Sequence, residues 1–227
     1  MALHWPWPVN KKLSKALSLK SLKTDMHSHL LPGLDDGVSD MDEALLLADR
    51  MQQLGYEKLI TTPHIMADLY PNRPEQIQQG ARRVNEALRL KGLEIRIEAA
   101  AEYLLDEAFM SLLKEGKLMS FGQNQVLVEL PWPSEPPGLD EMLFEMQLRG
   151  YKIILAHPER YGFWHGDFQK LEALHDRVLF FQLNLLSVSG HYSAEVKRMA
   201  KRLIEANMID YLGTDLHRET QLEKLRE

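Results

Sequence analysis

The chain has 227 residues, 44% of them apolar, with a net charge of −6 and no cysteine. That length suits one α/β barrel, and the apolar share suffices for a full core. The acidic balance offers no nucleic-acid surface, and the missing thiols exclude thiolate-nucleophile phosphatases, disulfides and Cys-ligated zinc.

Residues Met1–Lys23 stand apart: Trp5, Pro6, Trp7 and Pro8 precede a stretch in which Lys11, Lys12, Lys15, Lys20 and Lys23 alternate with leucines. There is no continuous apolar run, so no signal peptide is expected. The segment reads as a leader that packs on the barrel or frays, a peripheral membrane helix being the alternative. No apolar stretch in the chain approaches the roughly 20 residues that span a bilayer. A cysteine-free chain of this kind fits a cytoplasmic protein.

From residue 24 to 227 a single catalytic domain is expected, with seven apolar runs as strands: Thr24–Met26, Lys58–Thr62, Ile95–Ala99, Val126–Leu130, Ile153–Ala156, Val178–Leu183 and Ile209–Gly213. Several are almost unbroken Ile, Leu and Val, as in strands covered on both faces. Helices are expected between them at Asp40–Gln53, Pro74–Leu90, Leu105–Lys114, Leu139–Leu148, Asp167–His175 and Ser193–Ala206, with Ser39 or Asp40 as a cap and Pro74 opening the second. Strand–helix alternation of this kind implies parallel strands with right-handed crossovers, and the Pro131–Pro137 stretch is a rigid loop at the barrel mouth.

Nine polar residues fall at or just past the carboxyl ends of these runs, where a parallel barrel places its active site. His27 and His29 follow the first strand on one face, and Asp36 lies in the turn above it. His64 follows the second, Glu102 the third, Glu129 ends the fourth, His157 follows the fifth, and Asp215 and His217 close the seventh. Any one of these has a bland reading: a surface histidine pair, a solvated rim acid, a turn at Asp35-Asp36-Gly37. Jointly they describe a site for two or three divalent cations. Nitrogen and oxygen donors without thiolate suit manganese, iron or zinc and disfavour calcium or copper(I). Paired metals of this kind serve in-line displacement at phosphorus. His4, His165, His175 and His191 are left outside the site, His191 being the one that could line a substrate cleft.

The run Thr24-Asp25-Met26-His27-Ser28-His29 with Leu31-Pro32-Gly33-Leu34-Asp35-Asp36-Gly37 resembles the opening of the PHP (polymerase and histidinol phosphatase) family. The segments Thr61-Thr62-Pro63-His64, Ala101-Glu102-Tyr103, Leu127-Val128-Glu129, Ala156-His157-Pro158-Glu159-Arg160-Tyr161 and Gly213-Thr214-Asp215-Leu216-His217 are similar to one branch of it. That branch comprises the bacterial manganese-dependent protein-tyrosine phosphatases of capsule and exopolysaccharide biosynthesis. The resemblance implies a distorted (β/α)7 TIM-like barrel and phosphotyrosine hydrolysis by a metal-activated hydroxide. It implies one metal on His27, His29, Glu102 and Asp215, a second on Glu102, Glu129 and His157, and a third on Asp36, His64 and His217. Mn2+ is the implied cofactor, and the implied substrate is a phosphotyrosine protein, a bacterial tyrosine kinase of polysaccharide export. Arg160 would bind the substrate phosphate, the alternative being a salt bridge to Glu159 or a rim acid. His217 or a metal-held water would protonate the leaving phenolate.

The pattern departs from the family in two places. A second arginine commonly follows the Asp-x-His on a further segment, whereas here only Arg218 and Arg226 follow it, so either Arg218 substitutes from a different position or phosphate binding is weaker. The leader is also extra. Alternatives are a PHP phosphatase or phosphodiesterase for a small metabolite such as histidinol phosphate, a metal-dependent amidohydrolase (which usually adds a bridging lysine at a strand end), and a non-catalytic partner module for a kinase.

Overall fold

A computed structural model describes residues 21–225 except 117 and 178. Residues 1–20 of the leader, His4 among them, and Arg226 lie outside the described residues. The strands are β1 (Thr24–Ser28), β2 (Lys58–Thr61), β3 (His64–Ile65), β4 (Arg96–Ala99), β5 (Glu102–Leu104), β6 (Gln125–Glu129), β7 (Lys152–Ala156), β8 (Phe180–Asn184) and β9 (Tyr211–Gly213). The helices are α1 (Met41–Gln53), α2 (Pro74–Leu90), α3 (Phe109–Glu115), α4 (Leu139–Leu148), α5 (Phe168–Asp176), α6 (Leu185–Ser189), α7 (Ala194–Glu205) and α8 (Glu219–Leu225).

Every strand pairing between these elements is parallel, in two sheets of order β1-β2-β4 and β3-β5-β6-β7-β8-β9. The two sheets are one distorted barrel with seven strand positions. Its second and third positions break, at Thr62-Pro63 and Ala100-Ala101, and resume as β3 and β5. Pro63 cannot donate to a ladder, so continuous pairing through it is lost. Bonds from Ala100 N to Thr61 O and from Glu102 N to Pro63 O span the gap. The barrel closes where Ser28 bridges Leu216 and His29 N donates to Leu216 O.

Side-chain capping sets where the helices start. Asp40, Asp167 and Ser193 accept from the backbone N–H of Glu43, Lys170 and Val196, each satisfying one of the helix's orphan donors. Pro74 opens α2 as expected. The third helix starts later than the sequence suggests, at Phe109 rather than Leu105. Leu105 N still donates to Glu129 O, extending the strand, and Asp106 Oδ1 accepts from Phe109 N. Neither α6 nor α8 was expected from the apolar pattern.

One apolar layer fills the space between sheet and helices, with Val126, Val128, Ile153 and Leu155 facing Met146, Leu143 and Leu171. A second, smaller cluster plugs the barrel: Met26, Ile60, Ala100, Phe121, Leu127, Ile154 and Ala156. Two residues beyond Leu127 on the same strand face is Glu129, and two beyond Ala100 is Glu102, so both carboxylates sit on top of the plug. The first strand needs an additional device. Its register runs Thr24↔Lys58, Asp25↔Leu59, then Ser28↔Thr61, one extra residue on β1. This bulge lets Met26 fill the interior while His27 and His29 also turn inward above it.

Candidate metal centre

All nine ligand candidates meet at the carboxyl end of the barrel. Glu102 is at the middle. Its Oε2 lies 3.2 Å from His27 Nε2, 3.5 Å from His29 Nε2 and 3.2 Å from His64 Nδ1, and its Oε1 lies 3.2 Å from His157 Nε2. Asp215 Oδ1 is 3.3 Å from His27 Nε2 and 3.4 Å from His29 Nε2. His64 Nδ1 reaches Glu129 Oε1 at 2.8 Å. Asp36, half exposed at the rim, is 3.5 Å from both His64 Nε2 and His217 Nε2.

Ligand atoms close enough to share a cation fall into three groups: His27, His29 and Asp215; His64, Glu102 and Glu129; and His29, Asp36, His64 and His217. These follow the expected sets with three differences, the first being that Glu102 groups with His64 and Glu129 but not also with His27 and His29. His29 also stands beside the rim group, and His64 takes the place expected of His157 beside Glu129. His157 instead pairs with Glu102, and its ring stacks with those of His27 and Trp132. Buried Glu102 Oε1, Glu129 Oε1, His64 Nδ1 and His157 Nδ1 make no contact of hydrogen-bonding geometry, although His64 Nδ1 is 2.8 Å from Glu129 Oε1 and Glu102 Oε1 is 3.2 Å from His157 Nε2. Buried polar atoms without hydrogen bonds call for a partner of another kind, and this oxygen–nitrogen donor set fits hard-to-borderline divalent cations.

The electrostatics agree. Burial opposes ionisation of Glu102, but the imidazoles of His27, His157 and His29 outweigh it and hold its carboxyl well below the usual carboxylate range. Asp215 is likewise held low against burial, by His27, His29, His217 and Arg160. Glu129, less surrounded, is pushed up to about 6 by burial and by the Glu102 charge. The centre therefore keeps anionic oxygens in a dry place, where they act strongly on a cation.

Two candidates have unusual backbone. His157 has φ 36° and Asp215 φ 53°, left-handed conformations that cost a non-glycine residue roughly 1–2 kcal/mol. Each directly follows or closely follows a strand end, and the twist turns its side chain over the barrel mouth. Such strain collects at functional sites.

Several supporting residues were not anticipated. In the Asp35-Asp36 turn the sequence drew attention to Asp36, yet the more buried Asp35 orients the site: its Oδ2 lies 2.6 Å from His29 Nδ1 and accepts from His64 N at 3.0 Å. Gln182 Oε1 lies 2.8 Å from His27 Nδ1. Arg160 donates from Nη1 to Asp215 Oδ2 at 2.7 Å, and its guanidinium carbon sits 4.6 Å from the Trp132 ring centre and 4.2 Å from that of Tyr192. The partner of Arg160 is thus Asp215, not Glu159. Glu159 is buried and accepts from Asn184 N and Ser187 Oγ.

Above the centre opens a cleft of about 590 Å³. Tyr70, Trp132 and Tyr192 wall it, and Arg160 and the exposed Arg218 also face it. His191 does not line it; Lys224 Nζ contacts its ring at 3.0 Å, and the neighbouring Tyr192 takes the lining place. His165 donates to the Glu159 carbonyl and His175 contacts Asp210, both away from the centre.

Tight packing below the centre gives a first prediction. A Cβ on Gly213 would lie 2.7 Å from His27 Cβ and 2.8 Å from Gln182 Nε2. Gly213→Ala should therefore destabilise the metal-free protein by ~1–3 kcal/mol in urea denaturation, the usual cost of overpacking. An unchanged midpoint would contradict the packing described.

Comparison with known proteins gives a family match, two relatives and two solved structures. Residues 23–224 match the model of the family described as capsular polysaccharide synthesis, CpsB/CapC. The chain is 27% identical over 194 residues to tyrosine-protein phosphatase YwqE of Bacillus subtilis, covering 85% of this chain and 76% of that one. It is 22% identical over 201 residues to tyrosine-protein phosphatase CpsB of Streptococcus pneumoniae, covering 85% and 82%. Among solved structures, one described as YwqE from Bacillus subtilis and CpsB from Streptococcus pneumoniae, unique metal-dependent tyrosine phosphatases, matches with a TM-score of 0.82 at 26% identity, over 88% of this chain and 81% of that one. An amidohydrolase from Mycoplasma synoviae shares the fold alone, with a TM-score of 0.54 at 10% identity over 92% and 78%.

Proposed function

The chain belongs to the capsular polysaccharide synthesis CpsB/CapC family, and from that premise we propose that it is a metal-dependent protein-tyrosine phosphatase, hydrolysing phosphotyrosine monoesters. One observation carries the reading: a buried histidine–carboxylate centre forms the floor of a cleft with aromatic walls and arginines at its edge. No cysteine is present to act as nucleophile, and the attacking group in this reading is water.

In this reading His27, His29, Glu102 and Asp215 would hold one cation, Glu102, Glu129 and His157 a second with His64 alongside, and Asp36, His64 and His217 a third. The proposed ion is Mn2+, with iron or zinc compatible with the same donors. Bound divalent cations would supply an acidified water for attack on phosphorus and counter-charge for the phosphate.

The protein's own groups do the rest. Arg160 presents a flat fork to the phosphate oxygens, immobilised between Trp132 and Tyr192 so that little freedom is lost on binding. Arg218 adds positive charge at the rim. Tyr70 and Trp132 offer ring faces to the substrate's phenyl group. His217 donates Nδ1–H to the Asp215 carbonyl, which leaves Nε2 facing the cleft for ligation or for a proton. The leaving phenolate has a pKa of ~10 and needs little protonation to depart.

The cleft is open at its edge, where Leu69 and Trp132 are 70% and 48% exposed. That shape favours a tyrosine carried on a flexible peptide over a small metabolite enclosed on all sides. The proposed physiological substrate is a tyrosine kinase of polysaccharide export, met in the cytoplasm. Among the described residues no helix is long and apolar enough to cross a membrane. We assign residues 24–227 to one catalytic domain, with 1–23 as an appended leader.

The test is a substrate comparison with Mn2+-loaded protein: phosphotyrosine peptide, phosphoserine peptide and histidinol phosphate. The tyrosine peptide should be cleaved with a kcat/KM at least ~100-fold above the others, a difference of about 3 kcal/mol at the transition state. Preference for histidinol phosphate would move the protein to small-molecule metabolism.

A further inference from the structure

Strand β8 carries none of the nine candidate ligands, yet it enters the centre with two carboxamides, Gln182 and Asn184, on one face. We infer that these are positioning residues that fix the ring state of His27 and the carboxylate direction of Asp215; this rests on the metal reading above.

The geometry is a closed ring of four side chains. His27 Nδ1 lies 2.8 Å from Gln182 Oε1, Gln182 Nε2 donates to Asn184 Oδ1 at 2.9 Å, and Asn184 Nδ2 donates to Asp215 Oδ2 at 2.8 Å. Asp215 Oδ1 then returns to His27 Nε2 at 3.3 Å. All four residues are buried.

Direction follows from the donor inventory. Asp215 only accepts, so Asn184 must turn its NH2 toward it and its oxygen toward Gln182. Gln182 must then offer NH2 to that oxygen, which leaves Oε1 for His27. An oxygen there can only accept, so Nδ1 carries a proton; with a cation bound, the Nε2 lone pair would face it, beside the carboxylate oxygens of Glu102 and Asp215. Reversing either amide would set two acceptors against each other in a dry interior, which is costly. The same chain occupies Asp215 Oδ2 and leaves Oδ1 beside the histidines. Since Asp215 has φ 53°, strand geometry does not aim its carboxylate, and Asn184 supplies that restraint from below while Arg160 holds the same oxygen from the cleft side. Asn184 is itself anchored, its N–H donating to buried Glu159. Gly213 allows the ladder to pass, because any side chain there would strike both His27 and Gln182.

Hydrogen-bonded partners behind metal-binding imidazoles commonly change affinity 10–100-fold when removed. Gln182→Met keeps the side chain's length and removes its bonds. Leu183→Ala, one residue along on the opposite face of the same strand, is the control for general damage. Mn2+ affinity is read by competition with a chelating dye, beside circular dichroism for fold. Gln182→Met should bind Mn2+ 10–100-fold more weakly than the natural chain, and Leu183→Ala within threefold of it. A second measurement needs no variant: in Zn2+-loaded natural protein, 15N NMR of the imidazoles should place the His27 proton on Nδ1. Unchanged affinity in Gln182→Met, equal weakening in Leu183→Ala, or a proton on Nε2 would overturn the inference while the metal reading stands. Failure of the natural chain to take up any metal would overturn both.

Discussion

Glu102→Gln is expected to remove most of the catalytic activity while leaving the barrel folded. Both oxygens of Glu102 are engaged, with four imidazole nitrogens within 3.5 Å, and among the described residues no other carboxylate stands beside as many candidate histidines. Glutamine keeps the volume but loses the charge, and it turns an NH2 donor toward the centre. Removing one preorganised charge-stabilising group typically costs 10²–10³ in kcat. Because Glu102 belongs to two proposed metal sites, a loss of ~10³ or more is expected, with fewer metal ions retained per chain after dialysis. Phosphate release and metal analysis on the same sample measure both. Activity within a few-fold of the natural chain, with full metal content, would remove Glu102 from the centre.

The second large effect is at Arg160. Replacing it with alanine should lower kcat/KM for a phosphotyrosine peptide by ~10²–10³, the scale of a lost transition-state charge partner. Lysine should recover little of this. The site between Trp132 and Tyr192 accepts a flat cation, and a compact ammonium neither stacks there nor grips two phosphate oxygens at once. Arg160 also pairs with Asp215, so a loss of metal could imitate a loss of phosphate binding. Metal content separates the two. Phosphate binding predicts full metal with low activity, and competitive inhibition by inorganic phosphate weakened in parallel.

Much of this was legible in the sequence. The apolar runs located all seven strand positions, and Pro74–Leu90 and Leu139–Leu148 match α2 and α4 residue for residue. The nine ligand candidates were found because each follows an apolar run, and in a parallel barrel that rule carries a residue to one end. Other features were hidden for identifiable reasons. The breaks at Thr62-Pro63 and Ala100-Ala101 lie within apolar stretches, and only Pro63 signals one of them. The bulge in β1 is a matter of pairing register, which a single strand does not reveal. Asp35 and Asp36 are indistinguishable by composition; what separates them is the fold of the Leu34–Gly37 turn, which buries one and exposes the other. Gln182 and Asn184 did leave a signal. Two carboxamides alternate in Phe180-Phe181-Gln182-Leu183-Asn184, and polar groups on the inward face of a buried strand are informative because they are rare. The stacking of Trp132 and Tyr192 on Arg160 joins three separate loops and leaves no local trace.

The measurement that bears most directly on the central claim is chelation and restoration of phosphotyrosine hydrolysis. Protein stripped of metal should release no phosphate from a phosphotyrosine peptide above background, and added Mn2+ should restore release in proportion to the ions bound. The melting temperature should rise with Mn2+ at the same time, because an ion that binds only the folded chain stabilises it. Hydrolysis that persists at full rate in verified metal-free protein would contradict the account.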